Sequence, residues 1–413
     1  MRQAAGLERL YVDFDSFFAT AEQHLRPELR GWPVGVIPID SPHTGLIAAS
    51  REAKAIGVKR GFWVREARRA CPGLVLIPAR HDAYVRLHGD IVKAVNDVVP
   101  LLAVRSIDEM VCALSPGDQA HPEAIGCAVK AGIAREVGPV LTCSVGIGPT
   151  ELLAKIAAEM QKPDGLVVIR PEDLTGPLLR LQITDIPGVA RGNAARLRQA
   201  GVTDMAGFWS LAPKQARAIW GNVEGERLWA ELHGYPVERP ATRRVMFGHG
   251  RVLPQAWRQI DKAYACARYL VVKAARRMRQ AGLAARALAA WLTDKRSAGW
   301  FGEERFPPIW DDRSILASLG GLFDQASREG IGCRSVHVAL HDLVPLDDGR
   351  RDLFDVAASF EARRRWERLS VLRDRLHARY GRDVLSLGPS SEPPGGYAGA
   401  KIAFNRIPTE KEF

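Results

Sequence analysis

The first strong pattern in the chain is Leu10-Tyr11-Val12-Asp13-Phe14-Asp15-Ser16-Phe17-Phe18-Ala19. Leu10 and Val12 fall on one face of a strand. The pattern predicts a buried strand that runs out at Asp13 and Asp15 and gives way to a helical stretch from Ala19 to Gln23. A carboxylate at a strand end is costly to bury unless it is paired or holds a cation. A solvated strand end or a helix N-cap is the plainer alternative for both acids.

Residues 19–79 mix short helices with loops rich in Pro and Gly. A turn at Leu29 to Pro33 feeds a strand from Val34 to Pro38, and a short helix begins at Arg51 and stops before Gly61. Arg51 and Lys54 are three apart and share a helical face, which suits a triphosphate, a DNA backbone or plain solvent. Residues 80–170 predict helix, strand, strand, helix, strand, helix, strand. The helix from Tyr84 to Val99 is followed by strands at Val104 to Ile107 and Met110 to Leu114, with Asp108-Glu109 between them. In one straight strand these two acids would point to opposite faces, but at a tight hairpin they can converge. An ordinary turn here would offer Asn-Gly or Asp-Gly, so cation coordination is the preferred reading of the acidic pair. A strand from Leu141 to Gly148 leads to Thr150, a predicted cap for the helix from Glu151 to Gln161. Lys162-Pro163-Asp164-Gly165 then closes the helix before a strand at Leu166 to Ile169.

Residues 171–240 are small and helical. Ile183 to Ala190, with the helix that follows, has the pattern of a helix–hairpin–helix, whose glycine turn at Gly188 offers backbone N–H groups to a phosphate. A plain pair of antiparallel helices fits the same residues. The basic, proline-broken stretch Tyr235 to Arg244 marks a domain boundary. Residues 245–345 then alternate β-α-β-β-α-β, the order of a four-stranded sheet backed by two helices, the first made basic by Arg268, Lys273, Arg276, Arg277 and Arg279. The remainder holds a charged helix from Ser359 to Tyr380 and a loop-like end. The fold class is α+β with several domains.

Composition sharpens this. A chain of 413 residues predicts two to four domains, and 46% apolar residues excludes a disordered chain. A net charge of +11 predicts a polyanionic partner, nucleic acid ahead of a membrane surface. The six cysteines are scattered, without CxxC or zinc spacing, which argues against a disulfide framework or a metal cluster. No segment has the apolar length of a membrane span and the N-terminus lacks a signal-like core, so a soluble cytoplasmic protein is expected.

Asp13-Phe14-Asp15, Ser106-Ile107-Asp108-Glu109, Cys143-Ser144-Val145-Gly146-Ile147 with Ala154-Lys155-Ile156-Ala157, and Lys162-Pro163-Asp164-Gly165 form an ordered set. This set closely resembles the Y-family translesion DNA polymerases, over about residues 8–385. The stretch Ser50 to Gly57 looks closer to the polymerase V branch than to polymerase IV. The resemblance implies a right hand. Its palm is 1–18 and 80–170, its fingers 19–79, its helical thumb 171–236, a linker 237–244, a little finger 245–345, and a tail 346–413. It implies that Asp13, Asp108 and Glu109, with the backbone carbonyl of Phe14, hold two Mg²⁺ ions. Phe18 becomes the steric gate against a 2′-OH, and Arg51, Lys54 and Lys162 the triphosphate contacts. Gly188, Arg243, Arg244, Arg276 and Arg277 are the expected DNA contacts. Asp15 matches the second acid of its motif and is not expected to be a ligand. Arg350 to Phe354 resembles a degenerate sliding-clamp-binding peptide, with Leu353 and Phe354 its apolar anchors. Thr150-Glu151 stands where the family has an Asn-Lys pair, and Ala190 where the hairpin has a glycine.

The implied activity is low-fidelity, template-directed addition of dNTPs to a primer 3′-OH across damaged bases, by a monomer acting on primer–template DNA, with accessory subunits left open. A non-catalytic scaffold in a repair complex and a palm-type nucleotidyl cyclase are the competing classes. The three carboxylates count against the first; the glycine hairpin, the basic domain and the net charge count against the second.

Overall fold

The computed structural model describes residues 3–239, 244–293, 299–346, 357–380, 384–388, 402 and 407–408. It divides into two compact units, one built mainly from Met1–Pro240 and the other from Ala241–Ala398.

The first unit contains β1 (Arg9–Phe14), α1 (Phe17–Leu25), β2 (Val34–Ile37), β3 (Ala48–Ala49), α2 (Arg51–Ala55), α3 (Val64–Ala70), β4 (Val75–Pro78), α4 (His81–Asn96), β5 (Leu101–Val104), β6 (Glu109–Ala113), α5 (Pro116–Ala120), α6 (Pro122–Glu136), β7 (Cys143–Gly148), α7 (Glu151–Met160) and β8 (Leu166–Val168). Five further helices follow: α8 (Thr175–Leu178), α9 (Arg191–Gln199), α10 (Met205–Trp209), α11 (Pro213–Trp220) and α12 (Val223–Leu232). The main sheet has the order β5-β6-β1-β7-β8, so β1 is central. It is antiparallel to both neighbours, with Asp13 opposite Glu109 on one side and Ser144 on the other. That position explains its nearly continuous burial. Leu10, Val12 and Phe14 pack with Tyr84, Ile91, Val129 and Ile133 beneath one face, while Tyr11 joins Val111, Ala154 and Ala158 on the other.

Helix α7 lies directly on that second face. A Cβ at Gly146 would come 2.0 Å from the Ala154 carbonyl oxygen, so only glycine lets the helix sit this close. The far side of α7, with Leu152, Leu153 and Ile156, anchors the helical segment through Leu178, Leu197, Phe208 and Leu232. Thr150 caps α7 as expected, its hydroxyl accepting from the Leu153 amide at 3.3 Å. A separate small sheet, β3-β2-β4, carries α2 and α3 around Ile37, Leu46, Ala53, Val64 and Ala67.

The second unit contains β9 (Met246–Val252), α13 (Ile260–Gln280), β10 (Leu283–Thr293), β11 (Trp300–Ile309), α14 (Asp312–Arg328), β12 (Ser335–Pro345) and α15 (Ala357–Tyr380). Its sheet order is β11-β10-β12-β9 with every pair antiparallel, and its core joins α13 and α14 to one sheet face. The β-α-β-β-α-β order read from the sequence is the order observed. One correction concerns α15, which the sequence pattern assigns to a tail. Arg373 on it meets Asp312 at 2.7 Å, the Ser370 hydroxyl accepts from the Asp312 amide at 3.0 Å, and Asp374 pairs with Arg279 at 2.7 Å and Arg276 at 3.3 Å. The helix is part of this unit.

Candidate active site

The end of β1 is where the sheet becomes chemical. Asp13 and Glu109 are directly opposed on neighbouring antiparallel strands, so their side chains share the face that α7 covers. Asp108 lies one residue earlier, on the turn between β5 and β6, and its carbonyl accepts from the Phe14 amide at 2.9 Å. Asp13 is 5% exposed. Lys162 reaches its Oδ1 at 2.7 Å, and Lys155 reaches Glu109 Oε1 at 2.5 Å. The Asp108 carboxylate accepts a short hydrogen bond from Ser106 Oγ.

The electrostatics are unbalanced. Burial pushes the Asp13 carboxyl up to about 7, against the pull of Lys162 and with the nearby Glu159 and Glu109 adding to the rise. Burial works against the charge on Lys162 as well, yet Asp13 and then Glu159 hold its amine above the ordinary lysine value. Partial desolvation and the neighbouring Lys162 ammonium draw the Lys54 amine down, so the cation on α2 feels the same site. Burial, then Glu109, Glu151 and Asp13, raise the Tyr11 hydroxyl.

The expected convergence of three acids is only partly what the structure shows. Among the described residues no three His, Cys, Asp or Glu side chains gather closely enough to hold a metal ion. The physical reason is local: ammonium groups from Lys162 and Lys155 satisfy two of the carboxylates and a turn hydroxyl satisfies the third. The donor set still suits a hard divalent cation. Its ligands are oxygens, and one, Asp13, is driven toward its neutral form by burial, a cost that a bound cation would offset.

Asp15 has a different part. Its carboxylate accepts from Thr142 Oγ1 at 3.0 Å, Ser144 Oγ at 3.0 Å and the Asp164 amide at 2.8 Å. It ties β1 to β7 and to the loop that carries Lys162. Ser16 then adopts a left-handed turn at φ 54°, which starts α1 and presents Phe17 and Phe18. Phe18 stacks on Tyr84 with centroids 4.7 Å apart, and the Tyr84 hydroxyl donates to buried Glu22 at 2.7 Å. Glu22 also receives Arg80 in a two-pronged contact at 3.0 and 2.6 Å. Sequence reading missed Glu22, Arg80 and the acid-facing role of Lys155. A lone lysine inside Leu152-Leu153-Ala154-Lys155-Ile156-Ala157 was the available signal for the last.

A groove of about 610 Å³ runs from Tyr11, Glu109 and Lys155 to Gly188, Asn193 and Arg196. Gly188 sits at φ 92°, as its turn requires. Of the expected DNA contacts on α13, Arg276 is buried against Asp374, and Arg277 donates to the Gly248 carbonyl at 2.9 Å. Each guanidinium thus already has a partner within the second unit. Arg244 lies over the Phe247 ring at 5.0 Å. Arg243, Leu353 and Phe354 lie outside the described residues.

Paired strand-end carboxylates, a third acid on the adjoining turn and lysines aimed at them define a phosphoryl-transfer enzyme of the sheet-based, carboxylate-centred class. Residues 12–159 match the model of the impB/mucB/samB family, and residues 244–353 that of the same family's C-terminal domain. The DNA polymerase IV of Moorella thermoacetica is 35% identical over 389 residues, covering 91% of this chain and 94% of its own. That of Pelotomaculum thermopropionicum is 32% identical over 400 residues, covering 94% and 96%. Among solved structures, a Y-family DNA polymerase chimera of Dbh and Dpo4 superposes with a TM-score of 0.69 at 23% identity, over 82% of this chain and 99% of that one. An insertion ternary complex of Dbh DNA polymerase gives 0.56 at 24%, over 82% and 99%. At these identities the structural likeness shows the fold. The chain belongs to the impB/mucB/samB family, the Y-family DNA polymerases. These relatives carry the polymerase IV name, so the lean of residues 50–57 toward the polymerase V branch is not supported.

Proposed function

We propose that the chain is a template-directed DNA polymerase that extends a primer 3′-OH with dNTPs across damaged template bases. The observation that carries the reading is Asp13 opposite Glu109 with Asp108 on the adjoining turn, in a chain whose relatives are named DNA polymerase IV. In this reading the five-stranded sheet is the palm, the small sheet with α2 and α3 the fingers, α8 to α12 the thumb with Gly188 in its phosphate-facing hairpin, and the second unit the little finger. Asp13, Asp108, Glu109 and the Phe14 carbonyl would hold two Mg²⁺ ions. When bound, these supply charge neutralisation at the attacking oxygen, the leaving oxygen and the triphosphate.

The remaining chemistry belongs to side chains of this chain. Lys162, Lys54 and Arg51 place positive charge where the triphosphate enters, which stabilises charge moving onto the departing pyrophosphate. Asp15 holds the loop bearing Lys162 in register with β1. Phe18, braced by Tyr84, offers a flat ring to the sugar and leaves no room for a 2′-hydroxyl. Primer extension with Mg²⁺ on damaged and undamaged templates tests the reading. Extension by the wild type that Asp108→Ala abolishes is expected; no extension by the wild type, or undiminished extension by the variant, would sink it.

A further inference from the structure

The small sheet carries a surface that the chemistry above leaves unused. Trp63 is 57% exposed, an unusual placement for an indole, since leaving such a ring in water forfeits roughly 2 kcal/mol of burial. One exposed aromatic is ordinary. This one stands among Lys59, Arg60, Arg65, Arg68 and Arg69, all exposed, with Glu66 the single acid in the stretch from 59 to 69. The Glu66 carboxylate accepts from the Trp63 backbone amide at 3.3 Å, which directs it toward the start of α3.

The pattern has a cause in the local fold. Helix α3 buries Val64 and Ala67 and turns Arg65, Arg68 and Arg69 outward. The Trp63 backbone is fixed from both sides: residue 63 bridges Gly45, the Val64 amide donates to the Thr44 carbonyl at 3.0 Å, and Leu46 exchanges backbone bonds with Phe62 and Gly61 at 2.9 Å. Gly61, at φ 90°, has open space above it. The indole is thus an exposed flat ring on a rigid base, with five exposed cations within six residues of it along the chain.

We propose that this face is a stacking platform for the unpaired template strand ahead of the primer terminus. A single-stranded polyanion with exposed base faces is the partner that uses both parts at once. Bases stack on the indole and phosphates meet the five cations, a mode that tolerates any sequence. This goes beyond the metal and triphosphate chemistry and rests on the polymerase reading.

The experiment measures equilibrium binding of the full chain to primer–templates that share one duplex and differ in 5′ overhang, about one nucleotide or about eight. The wild type should bind the long overhang roughly tenfold more tightly. Trp63→Ala should remove most of that advantage, Trp63→Tyr should keep it, and extension on the short overhang should be equal in all three. Arg65→Gln with Arg68→Gln should lower the salt slope of long-overhang binding by about 1.4, at roughly 0.7 for each phosphate that is no longer neutralised. Because Arg65 and Arg68 are exposed, this pair also decides the matter if Trp63→Ala fails to fold. A long-overhang advantage that survives Trp63→Ala overturns the proposal and leaves the face to a protein partner. A weakening shared equally by short and long overhangs overturns it too. Wild-type binding that follows overhang length without extension on any template would instead strike the polymerase reading while leaving the platform standing.

Discussion

Asp15 offers the sharpest test of how the site is built, because its place at a strand end invites a ligand role that the family resemblance does not support. It is 4% exposed, and its carboxylate receives three hydrogen bonds, from Thr142 Oγ1, Ser144 Oγ and the Asp164 amide. Bonds to a charged acceptor contribute roughly 1.5–3 kcal/mol each, and three that share one carboxylate do not add, so Asp15→Ala should cost about 3–4 kcal/mol. For a unit of this size that lowers Tm by roughly 6–16 °C. Asp15→Asn is the informative partner. Its amide oxygen can take the two bonds now made by Oδ2, and its NH₂ can donate to the Ser144 hydroxyl, which also accepts. Only the charge is removed, at about 1 kcal/mol, since neutral bonds are roughly half as strong. A brace therefore tolerates Asn, whereas a metal ligand does not. The assay pairs thermal melting with Mg²⁺ titration of primer extension, using Asp108→Asn for comparison. Expected is an Asp15→Asn enzyme with near wild-type Mg²⁺ dependence and a Tm a few degrees lower, against collapse of extension in Asp108→Asn. Intact melting with a Mg²⁺ requirement shifted as in Asp108→Asn would refute the brace.

The other predictions concern the gate, two buried networks and one surface pair. Phe18→Ala should raise ribonucleotide incorporation at least about tenfold. Tyr84→Phe keeps the stacked ring and loses the bond to Glu22, so it should leave sugar selectivity alone while costing about 1 kcal/mol; competition between dNTP and NTP in single-turnover extension separates the two. Burial lowers the His88 imidazole below its ordinary value, so the unfolded chain takes up the proton first and stability falls as pH drops through the histidine range; His88→Gln should melt with a shallower decline between neutral and mildly acid pH. Asp312→Ala removes the carboxylate that Arg279 and Arg373, each 5% exposed, both contact while Asp374 still holds Arg279, and should destabilise the second unit by roughly 1.5–3 kcal/mol in denaturant melts. Arg105 and Glu151 make a two-pronged contact at 2.6 Å for both bonds but are partly open to solvent, so a double-mutant cycle should give a coupling near about 1 kcal/mol, and strictly additive single mutants would dismiss it.

Much of the fold was legible because hydrophobic periods set it. The alternating order of the second unit and the helices flanking β1 follow from where apolar residues recur. Thr150 and Gly188 announced their turns through backbone chemistry that few other residues supply. What escaped were pairings between distant segments. The charged residues of α15 read as a solvated tail helix, because nothing near Arg373 or Asp374 in the chain tells that Asp312 and Arg279 await them. In the same way, five cations on one helix read as a uniformly basic face until Asp374 is placed against Arg276. At the site, Asp13 and Glu109 were found from their residue type, but their opposition across two strands is a matter of register, which the order of residues alone does not reveal.

Register also explains the departure at Thr150-Glu151. Had a lysine stood at 151, it would have left Arg105 without its carboxylate and set two cations side by side. With Glu151 present, α7 is latched to the strand end that immediately precedes Ser106, Asp108 and Glu109. The same helix sends Lys155 to Glu109 from the next turn, four residues on, and its capping threonine donates its hydroxyl to the Glu231 carbonyl on α12 at 2.8 Å. One helix thus fixes the acidic turn, supplies a cation to one of its carboxylates and binds the helical segment that carries Gly188.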